Sequence, residues 1–140
     1  MKKIMSLLML VILSFSLSSC KWMKESLENT KYTLETFLSY LKEKDYTSAS
    51  NLLHDESELN KPSLEENISE IEKNKNIDFS LGTELKTNQS FQITGYTSEY
   101  NGSTYEATYG AIVGNTECEI YIFILDNEKD NGIYKFVVMI

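Results

Sequence analysis

Three groups of side chains in this sequence have types and spacing that could do chemistry: a lone histidine beside two acids, an alternating acidic run, and a cluster of tyrosines. His54 is followed by Asp55 and Glu56. Acid–base catalysis needs such a group set against an apolar cavity, with a tyrosine or aspartate polarising the substrate. Here the only histidine falls at the end of a helix-like segment, where an exposed imidazole is accounted for by the helix dipole. The aspartates Asp45, Asp55, Asp78, Asp126 and Asp130 all fall at caps, turns or segment ends. No nucleophile–histidine–acid set can be assembled, and no glycine-rich phosphate loop is present. The chain reads as non-catalytic. Asp126, Glu128 and Asp130 alternate like the start of a calcium loop, but Gly132 stands at the seventh position instead of the sixth, and Val137 where the closing glutamate belongs. That run is expected to be an acidic hairpin turn, and no metal or free cofactor is expected.

The tyrosines are more informative. Tyr96, Tyr100, Tyr105 and Tyr109 lie on two strand-like runs joined by Asn101-Gly102, a strong hairpin signal. A two-residue turn there pairs Tyr100 with Ser103 and sets Tyr96 opposite Ala107, diagonal to Tyr105 and Tyr109. All four rings then share one face, provided no bulge intervenes. Such a face packs under helices, stabilises the hairpin as a half-exposed ladder, or forms an aromatic binding surface for a protein, a glycan or a small apolar ligand.

The elements that position these residues change period along the chain. Leu34, Phe37, Leu38 and Leu41 recur at helical spacing, giving one apolar stripe. Asp45 can cap a second helix whose inner face is Tyr46, Ala49, Leu52 and Leu53. A third helix opens after Pro62 with a capping-box pairing of Ser63 and Glu66; its thin stripe of Leu64, Ile68 and Ile71 suits a rim. From about Ile77 the period is two. A weak strand around "DFSLGTELK", the tyrosine hairpin, the near-continuous apolar run "ECEIYIFIL" and a closing "IYKFVVMI" make about five strands. The layout is α+β: three N-terminal helices on one face of a curved antiparallel sheet.

The chain begins with two lysines and an apolar run from Ile4 to Leu17, shorter than the ~20 residues a spanning helix needs. A basic start, a short apolar core and small residues before a break describe a secretory signal peptide. The run ends at Leu17-Ser18-Ser19-Cys20, a tetrad that resembles the lipobox of bacterial lipoproteins. That resemblance implies cleavage between Ser19 and Cys20, a diacylglycerol group on the Cys20 thiol and an acyl chain on the new amino group. It makes residues 1–19 a signal peptide, 20–30 a lipidated cysteine with its tether, and 31–140 a single domain. It also implies a bacterial membrane location, facing the periplasm or the cell exterior. Lys21 stands where an inner-membrane retention signal has aspartate, which points to the outer membrane where the host has two.

Composition agrees with a folded, anchored body. The formal net charge is −8, and loss of Lys2 and Lys3 makes it two units more negative. Nucleic-acid binders carry basic patches to neutralise phosphate, so that partner class is excluded. With Cys20 lipidated, Cys118 has no partner within the chain and is expected as a buried apolar thiol. The stretch "TLETFLSYLKEKDYTSASNLLHDE" with the closing "NGIYKFVVMI" resembles small domains like nuclear transport factor 2, with a cystatin-like cone-shaped roll. Some relatives of that kind hold a pocket between sheet and helices. Two functions follow as expectations: an interaction module for an envelope protein (an assembly component or a toxin), or a carrier or isomerase-like enzyme with the tyrosine face turned into a pocket.

Overall fold

The computed structural model describes the backbone from Lys2 to Ile140 and the side chains from Cys20 onward. The side chains of the expected signal peptide, residues 1–19, including Ser19, lie outside the described residues. Helix α1 (Lys2–Lys42) presents Leu34, Phe37, Leu38 and Leu41 to the core, all buried, as their spacing requires. Phe37 meets Phe136 edge-on, ring centroids 5.3 Å apart. Residues 20–30, expected as a tether, continue this helix. They contain neither proline nor glycine, and Lys21–Glu25, Lys24–Glu28 and Lys31–Glu35 stand at i,i+4. Such exposed pairs each contribute a few tenths of a kcal/mol. Leu27 packs against the core and Thr30 is buried.

Lys44 takes a left-handed conformation (φ 56°) and reverses the chain into α2 (Tyr46–Ser50), where the Asp45 carboxylate accepts from the Ser48 amide at 3.0 Å. Helix α2 is shorter than its apolar spacing suggests because the backbone beyond it has another partner. Ile133 N–H donates to Leu52 O, His54 N–H to Ile133 O and Glu58 N–H to Tyr134 O, at 2.7–2.9 Å. Residues 52–58 therefore form a strap along the edge of the last strand. In α3 (Leu64–Lys75) Ser63 occupies the N-cap without a side-chain bond, so the expected capping box is absent. A 3-10 turn over Lys61–Ser63 with Pro62 in it leads in instead, while Glu65 and Glu66 near the start and Lys73 and Lys75 near the end suit the dipole. Leu64 and Ile68 are fully buried, a deeper seat than a rim.

Four strands, not five, form an antiparallel sheet in the order β1 (Thr83–Thr97), β2 (Gly102–Val113), β3 (Thr116–Asn127), β4 (Asn131–Met139). The stretch expected as a separate first strand splits. Phe79–Leu81 is a 3-10 turn capped by Asp78, and the chain from Thr83 runs straight into β1 through bulges. Bulges along this exposed edge strand discourage pairing with another chain. Helices cover one face only, where Ala107, Tyr109, Ala111 and Val113 of β2 adjoin Cys118, Ile120, Ile122 and Ile124 of β3 and Phe136 and Val138 of β4. The expected burial of β3 on both faces holds only toward its C-terminal end, at Phe123 and Leu125; Glu117 and Glu119 are exposed.

Candidate functional site

The four tyrosines do not share a face. Tyr105 lies opposite Ile93 and Ala107 opposite Phe91; Thr97 pairs with Gly102. The connection is therefore Ser98–Asn101, four residues long, with Asn101 left-handed at φ 52° and Gly102 already in β2. Gly102 is required by close approach: a Cβ there would stand 2.2 Å from the Asp126 carbonyl oxygen of the neighbouring strand. The changed register divides the rings. Tyr105 and Tyr109 turn toward the helices, the latter 1% exposed, whereas Tyr96 is 65% exposed and Tyr100 sits in the turn. No closed cavity gathers Tyr96, Tyr105 and Tyr109.

Tyr109 is a core residue whose burial raises its hydroxyl above the ordinary tyrosine range. The neighbouring Asn88 amide donates to the Ser90 and Thr108 carbonyl oxygens, and among the described residues none, Asn88 included, meets the Tyr109 hydroxyl in hydrogen-bond geometry. A buried orphan hydroxyl costs about 1–3 kcal/mol. Tyr109→Phe is accordingly expected to stabilise the protein by about 1 kcal/mol, read as a higher urea midpoint at unchanged slope. A lower midpoint would show that the hydroxyl is bonded.

Tyr96 and Tyr100 instead meet residues from the far end of the chain. The β1–β2 turn, the β3–β4 turn and the strap enclose an open cleft of about 710 Å3, lined by Tyr96, Tyr100 and Tyr134 with Glu56, Glu99 and Glu128. Tyr100, Phe123 and Tyr134 form a triangle of edge-on and tilted rings, all centroids 5.3–5.4 Å apart. This triangle holds two of the cleft's three tyrosines rigid. Tyr134 reaches it because β4 shifts register between Ile133 and Lys135.

Asn127 joins the three segments. Its amide donates to the Tyr100 carbonyl oxygen at 3.1 Å, and its Oδ1 accepts from the Lys129 and Asp130 amides. The same oxygen lies 3.0 Å from His54 Nε2, while His54 Nδ1 accepts from the Glu56 amide at 2.9 Å. These partners place the imidazole proton on Nε2. His54 is fully buried rather than exposed at a helix end, and both ring nitrogens are engaged in structure. The sequence pattern marks His54 only as an exposed helix-end imidazole and assigns no binding role to Asn127, Phe123 or Tyr134. The one hint was the acidic turn itself, since an Asn that opens a turn bonds the amides two and three residues on.

The three alternating acids diverge. Asp126 lines a small cleft beside α1, Glu128 lines the tyrosine cleft, and Asp130 accepts from the Asp55 amide at 3.0 Å. Lys61 bonds Asp55 at 2.6 Å, and Lys129 bonds Glu56. Bonding to Lys61 holds the Asp55 carboxyl below the usual carboxylate range, and bonding to Lys129 does the same for Glu56. A lowered carboxyl stabilises the fold above its unfolded value, about pH 4, and loses that contribution as pH falls through the folded value. The strap should thus loosen in acid. Thermal unfolding is expected to lose less between about pH 5 and 3 in a Lys61→Ala/Lys129→Ala variant than in the wild type. Equal losses would show that the pairs contribute nothing.

On the uncovered face Tyr121 donates to Glu106 at 2.5 Å, and burial with that bond pushes its hydroxyl well above the tyrosine range. Cys118 is buried and its thiol is pushed up by burial, as an apolar side chain's would be. Cys20 is exposed. Among the described residues no helix is long and apolar enough to cross a membrane.

Fold and cleft together define a class: an α+β module with helices on one face of a four-stranded antiparallel meander and an aromatic, acid-lined cleft at one end of the sheet. No family model, curated protein or solved structure matches the chain.

Proposed function

We propose that this chain is a lipid-anchored bacterial cell-envelope lipoprotein whose domain is a non-catalytic binding module, with the tyrosine cleft as its contact site. The observation that carries the binding reading is the cleft. Its rings are exposed or half-buried, two are locked by mutual packing, and the turns around them are hydrogen-bonded through Asn127. Rigid tyrosines that offer area at low entropic cost are what binding surfaces use. The cleft's one lysine, Lys129, is taken up by Glu56, and among the described residues Glu99 and Glu128 form no ion pair, so the rim favours a partner with cationic side chains. The anchor is read from Leu17-Ser18-Ser19-Cys20, with diacylglycerol and an acyl chain on Cys20 as the only added groups. Non-catalytic action is supported by His54, whose two nitrogens are both held by protein groups.

A small-molecule carrier is the second reading, favoured by a cleft volume within the ~300–1,000 Å3 of ligand sites. In-cell crosslinking and recovery of the anchored protein separates the two. The interaction reading expects one envelope protein, absent with Cys20→Ala and with Tyr96→Ala/Tyr134→Ala. Equal recovery from all three forms would contradict it. Empty recovery, with a small molecule retained in native mass spectrometry, would replace it by the carrier.

A further inference from the structure

We infer that the first turns of the mature chain are a rigid stalk that seats the turn end of the sheet, and with it the tyrosine cleft, against the lipid surface. The inference rests on the lipidation of Cys20 and adds an orientation to it. A flexible tether of ten residues wanders over roughly 18 Å and fixes no direction. Here α1 is unbroken from Cys20 into the core, and Leu27 already packs there. Seven residues of helix span about 10 Å, so the folded body starts within one or two turns of the acylated cysteine.

Which end of the body is nearest follows from what α1 touches. Ser26, Asn29 and Thr33 line a small cleft with Tyr105, Ile124, Asp126 and Asn131, at the end of the sheet that carries the β1–β2 and β3–β4 turns. Further along, Glu35, Ser39 and Lys42 adjoin Gly82, Thr83 and Leu85, at the opposite end. The helix thus runs from the turn end to the far end. The anchored end of the molecule is the cleft end.

The residues beside the anchor suit a lipid interface. Trp22 and Met23 are 50% and 54% exposed, although both are large and apolar. Lys21 and Lys24 flank them in a chain of net charge −8. Tryptophan and lysine at the headgroup level are the usual companions of a membrane anchor. The occupant of this surface is therefore the bilayer that the Cys20 chains enter, and a partner reaching the cleft does so alongside that bilayer.

Trp22 is the sole tryptophan, which makes the test direct. The full chain, expressed in a bacterium that acylates lipoproteins, is purified from membranes and weighed, then placed in phosphatidylethanolamine–phosphatidylglycerol vesicles with chain-brominated lipid. Trp22 emission is expected to shift to the blue and fall about twofold or more. A dye placed by Glu128→Cys is expected to transfer energy to a headgroup acceptor more strongly than one placed by Asn115→Cys, about 40 Å away along β3. Emission like that in free solution, or equal transfer from both positions, overturns the orientation while the anchor stands. A mass without the added lipid overturns the anchor reading itself, and the orientation with it.

Discussion

Gly132→Ala is expected to cost about 3–5 kcal/mol, close to the upper end for a single substitution. A Cβ at this position would stand 2.6 Å from the His54 nitrogen, 2.8 Å from the Leu52 oxygen and 2.8 Å from the Leu53 carbonyl carbon. All three are backbone atoms of the strap, and none can swing aside as a side chain does. Relief requires the strap to leave β4, breaking the bonds of Leu52 and His54 to Ile133. His54 would then withdraw from Asn127, and Tyr134 would lose its neighbour across the strap. Urea denaturation measures the loss. Gly95→Ala is the control, since nothing lies within 4 Å of its Cβ. A Gly132→Ala midpoint equal to that of Gly95→Ala would show that the strap does not dock as described.

The second large effect is on location. Cys20→Ala is expected to move the protein from the membrane fraction to the soluble fraction almost completely. Each buried methylene contributes about 0.8 kcal/mol, and two acyl chains already hold a protein durably where one holds it only reversibly. In the same variant residues 1–19 are exchanged for a secretory signal with an Ala-x-Ala site, so that their removal does not depend on Cys20; what then remains is Trp22, Met23 and a few lysines beside an acidic body, too little to retain it. Fractionation with and without high salt reads the outcome. Retention of Cys20→Ala on membranes would mean that something other than the lipid anchors the chain.

Local signals were legible where local physics decides. The stripe of Leu34, Phe37, Leu38 and Leu41 is buried as its period requires, and Asp45 caps α2. The Asn101-Gly102 pair marked the turn, but not its length. Tyr105 faces Ile93 rather than Ser98, and a further register shift between Thr94 and Thr97 takes Tyr96 out of the regular ladder. The longer turn and that shift together dissolve the four-tyrosine face and leave Tyr96 and Tyr100 at the cleft. The rest of the cleft depends on long-range pairing. His54 meets Asn127 across 73 residues, and Tyr134 reaches Tyr100 only through a bulge in β4. Neither has a trace in local period. The strap overrode the helix-like spacing of Leu52 and Leu53 because β4 offered their backbone a stronger set of partners.

We propose that the anchored domain binds through the cleft at Tyr96, Tyr100 and Tyr134. A photo-crosslinking side chain placed at position 96, in cells making the Cys20-anchored protein, tests it most directly; position 115, in the β2–β3 turn at the far end of the sheet, is the control. One defined envelope partner is expected to be joined at 96 and none at 115, with loss of the product when Glu99 and Glu128 are changed to lysine. No product at 96, or the same products at both positions, would contradict it.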